Sequence, residues 1–224
     1  LTSCRAATAL IEFGHALHGM LAQARYSSLS GTNVVRDFVE LPSQLMENWL
    51  DQREWLQSFA QHYQTAEALP DSLIERMERA RHFLVGYAAC RQLSFGYLDM
   101  AWHTITEPLP EGLDTKDFEE KAWAKAVLLP ASPAPCQMST AFGHIFSGGY
   151  SAGYYGYKWA EVLDADAFAA FQQEGIFSSK TAQRFRDCIL SQGDREDAEV
   201  LYERFRGQAP SIEALLRRDG IERR

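Results

Sequence analysis

Apolar residues recur at steps of three and four along most of the chain, the period of a helix with one buried face. The stretch "ATALIEFGHALHGMLAQARY" (7–26) has this spacing, and so does the longer "SLIERMERARHFLVGYAACRQLSFGYLDMAWHTI" (72–105). It returns in "DFEEKAWAKAVL" (117–128), "YGYKWAEVLDADAFAAFQQ" (155–173), "KTAQRFRDCILSQ" (180–192), "DAEVLYERFRG" (197–207) and "SIEALLRR" (211–218). Residues able to cap a first turn mark several starts: Asp71 after Pro70, Asp114 or Thr115, Ser179, and Ser211 after Pro210. Between them lie "SSLSGTN" (27–33), two proline-rich turns at 107–112 and 130–136, the glycine-tyrosine loop "SGGYSAGYYGY" (147–157) and the polar turn "SQGDRED" (191–197). The pattern predicts an all-α or mainly α chain of roughly eight or nine helices. It forms a single helical domain over 1–224. "TNVVRDFV" (32–39) is the one candidate for a short edge strand, so at most a short strand pair is expected. No fixed-period repeat or low-complexity tract interrupts this reading.

Composition narrows the class. Of 224 residues, 46% are hydrophobic, enough for a sizeable core, and the net charge is −8. No long basic block is present, which argues against nucleic acid and anionic membrane as partners. The mixed-charge end "LLRRDGIERR" reads as a solvated helix end. Cys4, Cys90, Cys136 and Cys188 are scattered, with no C-x-x-C pair, so reduced thiols in a cytoplasmic protein are expected. No apolar run is long enough to span a bilayer. The chain opens on Leu1 and enters a helical pattern at once, which reads as a cut within a longer polypeptide.

Candidate chemistry begins in "ALIEFGHALH" (9–18). A zinc-peptidase helix reads H-E-x-x-H: two histidines four apart point at one ion, and the glutamate between them handles the proton of a metal-bound water. Here Glu12 and His15 stand in register, but Ile11 occupies the first histidine's position. On this helix alone, His15 and His18 also read as ordinary surface or core histidines.

Two further blocks change that reading. "RYSSLSGTNVVRDFVELPSQLMENW" (25–49) and "FGHIFSGGYSAGYYGYKWAEVLDADAF" (142–168), taken with "EFGHALH", resemble the thimet oligopeptidase family of zinc metallopeptidases, in its oligopeptidase A and dipeptidyl carboxypeptidase branch. The end of the chain, 184–221, resembles the end of the same branch. The resemblance runs in register from Leu1 onward and implies the zincin-like, multi-helix carboxyl-terminal part of a catalytic domain, without the family's amino-terminal part. It implies one zinc ion, with Ile11 at a lost ligand position, Glu12 as catalytic glutamate, and His15 and Glu40 as ligands. Gln44 and Glu47 follow Glu40 at steps of four and three, either as a polar helix face or as support behind the ligand. In the family a histidine and tyrosines of a mobile segment touch the substrate and stabilise its oxyanion. The matching positions are His144, Tyr150 and Tyr157, with Tyr154 in the same run. The glycines at 148, 149, 153 and 156 suit a loop that moves over a peptide.

The implied activity is hydrolysis of short peptides. Isoleucine offers no lone pair to a metal, and so an impaired or inactive chain is expected; the alternative is a non-catalytic member that binds peptides or a partner chain. His18 is a poor substitute, because it lies toward the wrong end of the helix. A missing amino-terminal part should leave apolar surface for a partner chain to cover. His62 and His103 read as structural or surface residues, and Cys90, Trp102, Trp123 and Trp159 as core.

Overall fold

The computed structural model describes residues 3–129 and 137–221. The proline-rich turn expected at 130–136, with Cys136, lies outside the described residues. Among the described residues there are eleven α-helices and no strand; one isolated antiparallel bridge joins Gln61 and Ala68. The helices are α1 (Ser3–Met20), α2 (Leu41–Glu47), α3 (Arg53–Phe59), α4 (Asp71–Ala80), α5 (Val85–His103), α6 (Thr115–Trp123), α7 (Met138–Ala141), α8 (Gly156–Glu174), α9 (Ser179–Phe185), α10 (Ala198–Arg206) and α11 (Glu213–Arg218). The all-α expectation holds. The number exceeds eight or nine because short helices occupy stretches too brief to show a period.

The expected edge strand at 32–39 is a series of turns instead. Phe38, Val39 and Glu40 are buried in succession, so the stretch lacks the alternation a half-buried strand needs. Asn33 bends the preceding segment by donating to the carbonyls of Ser27 and Ser30. The long apolar stretch 72–105 also divides. Leu84, with φ +55°, stands between α4 and α5, and a left-handed leucine ends a helix. Asp114 caps α6 as anticipated, accepting from the backbone N–H of Lys116 and Asp117. At α9 the cap is Ser178, one residue earlier than expected.

The chain forms two compact units: Leu1–Phe83 with Ala160–Arg224, and Leu84–Trp159. In the first, α1 lies along α2 in the most extensive helix pairing among the described residues. The core beneath them gathers Phe38, Leu41, Leu45, Phe168, Phe171, Ile189, Tyr202 and Phe205. Trp49 meets the edges of Phe168 and Phe171 with ring centroids 4.8 and 5.0 Å away. In the second unit, α5 and α6 enclose Phe95, Leu98, Ile145, Tyr150 and Tyr154, with Trp102, Phe118 and Trp123 against them. Trp102 and Trp123 thus take the core role expected of them. Trp159 does not: it is 41% exposed, on the outer face of the first turns of α8. Cys90 is only half-buried, and Cys90 and Cys188 are free thiols. His62 is exposed. No helix among the described residues is long and apolar enough to cross a membrane.

Two local features carry measurable stability. The α1–α2 crossing is closest at Gly14, where a Cβ would meet the Pro42 carbonyl oxygen at 2.5 Å and the Ser43 Cα at 2.6 Å. Alanine would gain about 1 kcal/mol of helix propensity, but forcing two backbones apart costs about 1–3 kcal/mol, toward the upper end where nothing can rotate away. Gly14→Ala should therefore be net destabilising, read as a lower urea midpoint at unchanged slope. The second feature is Glu174, at the end of α8. Its carboxylate accepts from Arg184 Nη2 at 2.9 Å and Thr181 Oγ1 at 2.7 Å, which pulls its pKa from 4.5 down to about 2. A depressed carboxylate pKa contributes stability that is complete above the unfolded value and disappears as pH falls through the folded one. Glu174→Gln should lower the melting temperature at pH 7, and its gap from the parent should close between pH 4.5 and about pH 2.

Candidate active site

The first group of expected site residues sits where α1 meets α2. Gly14 admits α2 close to α1, and the next residue, His15, faces the start of α2. Glu40 occupies the position before α2, and Pro42 stands in that helix's first turn, where its missing N–H costs nothing. His15 Nε2 and Glu40 Oε2 lie 3.2 Å apart. Glu40 is 4% exposed. Its other contact was not foreseen: Ser43 Oγ lies 2.7 Å from the same carboxylate oxygen and 2.9 Å from the Glu40 carbonyl. A serine three residues after a buried acid at a helix start is the sequence signal that could have found it. The bond to Glu40 holds the His15 imidazole above its ordinary pKa, outweighing the burial that pulls it down. His15 Nδ1 is buried without a hydrogen-bond partner.

Glu12 is exposed, one turn before His15's far side, and Ile11 is half-buried. Two metal-capable side chains therefore meet here, from two different helices. Among the described residues no group of three or more His, Cys, Asp or Glu side chains is arranged to hold a metal ion. The residue set does not fit a zinc ion held by three side chains. His18 does not make up the third: it is fully buried, neither ring nitrogen has a partner, and burial pushes its pKa down to about 4. Gln44 and Glu47 both line a polar cavity of about 260 Å³ with Asn48, Asp164 and Arg218. Burial and the nearby Asp164 push Glu47 up to about 7, so its surroundings are that cavity.

The second group lies in the other unit. His144 is exposed in a short turn, and its Nε2 is 3.2 Å from Tyr157 Oη at the start of α8. The Tyr150 ring stacks on Tyr157 at 4.9 Å and meets His144 edge-on at 5.0 Å. Tyr154 is buried beneath, against Phe142 and Phe95. The structure thus brings His144, Tyr150, Tyr154 and Tyr157 into one aromatic group. Gly148 and Gly149 precede it with φ of 78° and 83°, which side chains rarely adopt. A fully buried carboxylate, Asp99 of α5, holds this loop from below. It accepts from the backbone N–H of Ala152 and of Tyr154, each at 2.9 Å, and pairs with His103 Nδ1 at 2.8 Å. Neither Asp99 nor the pairing of His103 was anticipated. An acid and a histidine four apart on an otherwise apolar helix were the available sign.

The Ser43 contact can be tested alone. Ser43→Ala removes one hydrogen bond to a buried charged oxygen, a loss of about 1–3 kcal/mol. The expected result is a lower melting temperature with unchanged helical circular dichroism.

Sequence comparison bears on the whole chain. Residues 2–221 match the family model described as Peptidase family M3. The chain is 45% identical to the dipeptidyl carboxypeptidase of Escherichia coli over 212 residues, 94% of this chain and 31% of that protein. It is 44% identical to Escherichia coli oligopeptidase A over 213 residues, again 94% of this chain and 31% of the relative. Saccharolysin of Saccharomyces cerevisiae is 33% identical over 212 residues, 94% of this chain and 30% of the relative. The chain spans somewhat under a third of the length of these relatives. With the family model matched almost end to end, the chain belongs to peptidase family M3.

Proposed function

We propose that this chain is the carboxyl-terminal part of a zinc oligopeptidase that acts on short peptides, and that its own hydrolytic activity is impaired or lost. The observation that carries the reading is the pairing of His15 with Glu40 at 3.2 Å, with isoleucine one turn earlier where a third donor is needed. The first ligand position is degenerate, and two side chains are a weak hold on zinc.

The remaining groups keep chemistry that is useful for a peptide. Tyr157 Oη and His144 Nε2 can hydrogen-bond a backbone carbonyl, and the Tyr150 ring offers a flat apolar wall. Glu12 is an exposed carboxylate able to carry a proton. A second reading is a non-catalytic member that binds peptides or a partner chain. It is favoured by the same isoleucine and by large apolar residues left exposed, such as Phe13, Met20 and Phe83. We assign the chain to the cytoplasm, on the reduced state expected of its scattered cysteines.

Metal analysis of the purified parent should give well below one zinc per chain. Ile11→His should raise zinc affinity by more than the roughly 10–100-fold that a single outer partner contributes. Peptide hydrolysis should appear with it and vanish again when Glu12→Gln is added. A parent that holds one zinc per chain and cleaves peptides as fast as Ile11→His would overturn the impaired reading.

A further inference from the structure

We infer that Asp99, through its bonds to the backbone of Ala152 and Tyr154, is the positioning residue that sets the loop bearing Tyr150 and leading into Tyr157 at the start of α8. The inference rests on the peptide-binding reading above, since it concerns how the groups proposed to touch peptide are held.

The loop's own turn bonds, from Gly153 N–H to Tyr150 and from Gly156 N–H to Gly153, leave much of its backbone to be fixed from outside. Ala152 has φ +54°, a conformation unfavourable for any residue with a Cβ, and Gly148 and Gly149 leave the preceding backbone loose. Residues 151–155 are turns, without the backbone ladder of a helix or sheet. Something outside the segment must therefore select one conformation. Asp99 is the group placed to do so. Its two oxygens separate the work: Oδ1 takes the Ala152 N–H and Oδ2 takes the Tyr154 N–H. Two fixed points, two residues apart, determine both position and direction of the backbone between Tyr150 and α8.

The carboxylate is itself held rigidly. Asp99 is 0% exposed and projects from the middle of the last turns of α5, beside Leu98 in the apolar core. A buried carboxylate without partners would be very unfavourable. Here the two N–H groups bond it directly, and His103 Nδ1 lies 2.8 Å from Oδ1 as well as 2.8 Å from the Asp99 backbone carbonyl, its hydrogen-bond partner. His103 is kept in place by packing near Phe146, with ring centroids 5.6 Å apart. The chain of contacts runs from α5 through Asp99 to Tyr154, and from the Tyr154 ring to Tyr157 at 5.1 Å, where the His144 pair begins. Asp99 touches neither His144 nor Tyr157 through any of these bonds, so its role is positional.

Asparagine matches aspartate in shape but replaces one acceptor with a donor, so one of the two N–H groups must face an N–H₂. In the full-length chain, Asp99→Asn should speed hydrogen exchange of the Ala152 and Tyr154 amides by about tenfold or more, while the amides of α1 and α2 stay as in the parent. Binding of a fluorescein-labelled octapeptide pool, measured by anisotropy at a temperature where both proteins are folded, should weaken by about five- to tenfold. His103→Gln keeps both backbone bonds and removes the imidazole; it should move both readouts the same way by less, and it carries the test if Asp99→Asn fails to fold.

Unchanged exchange at Ala152 and Tyr154 in both variants would overturn the inference. So would faster exchange, or a lower melting temperature, with peptide affinity intact while Tyr157→Phe weakens it. If Tyr157→Phe also leaves affinity untouched, the peptide reading of the loop is what fails, and the exchange data alone decide whether Asp99 anchors it.

Discussion

The close crossing of α1 and α2 at Gly14 is the constraint on which the first unit depends. With a Cβ at this position the Pro42 carbonyl would lie at 2.5 Å, so the two helices could not approach as they do. That approach puts His15 within 3.2 Å of Glu40, and it lets Leu41 and Leu45 of α2 reach the core formed with α8, α9 and α10. The glycine thus links packing to chemistry. A side chain there would widen the gap, and both the buried carboxylate and the core leucines would move with α2.

The two units treat a buried carboxylate in the same way for different ends. Glu40 and Asp99 are both nearly or wholly inaccessible, and each has a histidine within about one hydrogen bond's reach. Burial of a charge is tolerable only where such partners are in place. At Glu40, just before α2, one further bond comes from Ser43 in that helix, and the carboxylate faces the histidine of α1. At Asp99 the remaining bonds come from a loop more than fifty residues away, so the acid serves the loop. A carboxylate in a helix is a rigid base for two convergent N–H groups, whereas a glycine-rich segment has no such rigidity of its own.

Ile11 is half-buried within α1, the helix that also carries His15. One turn further along the same helix, His15 meets Glu40 at 3.2 Å. The apolar spacing and Gly14 govern how the helices pack, and the polar side chains at the crossing decide which contacts form there.

Much of this was legible from the sequence. The helical class followed from the three- and four-residue spacing, and the motifs singled out His15 and Glu40, which the fold brings within 3.2 Å of each other. The helix break at Leu84 was not legible, since no proline stands there and leucine does not by itself favour the positive φ it adopts. The turns at 32–39 were misread because β-branched residues there suggest a strand, while burial of three successive side chains required a turn. Trp159 was misassigned because helical spacing gives a face but not what covers it. Ser43, Asp99 and the pairing of His103 were missed for a related reason: their partners are settled by where elements meet. By itself the sequence determined which residues are available and on which helix face they lie. Only the tertiary structure decided which polar groups meet, because hydrogen bonds act over about 3 Å and depend on the positions of both partners.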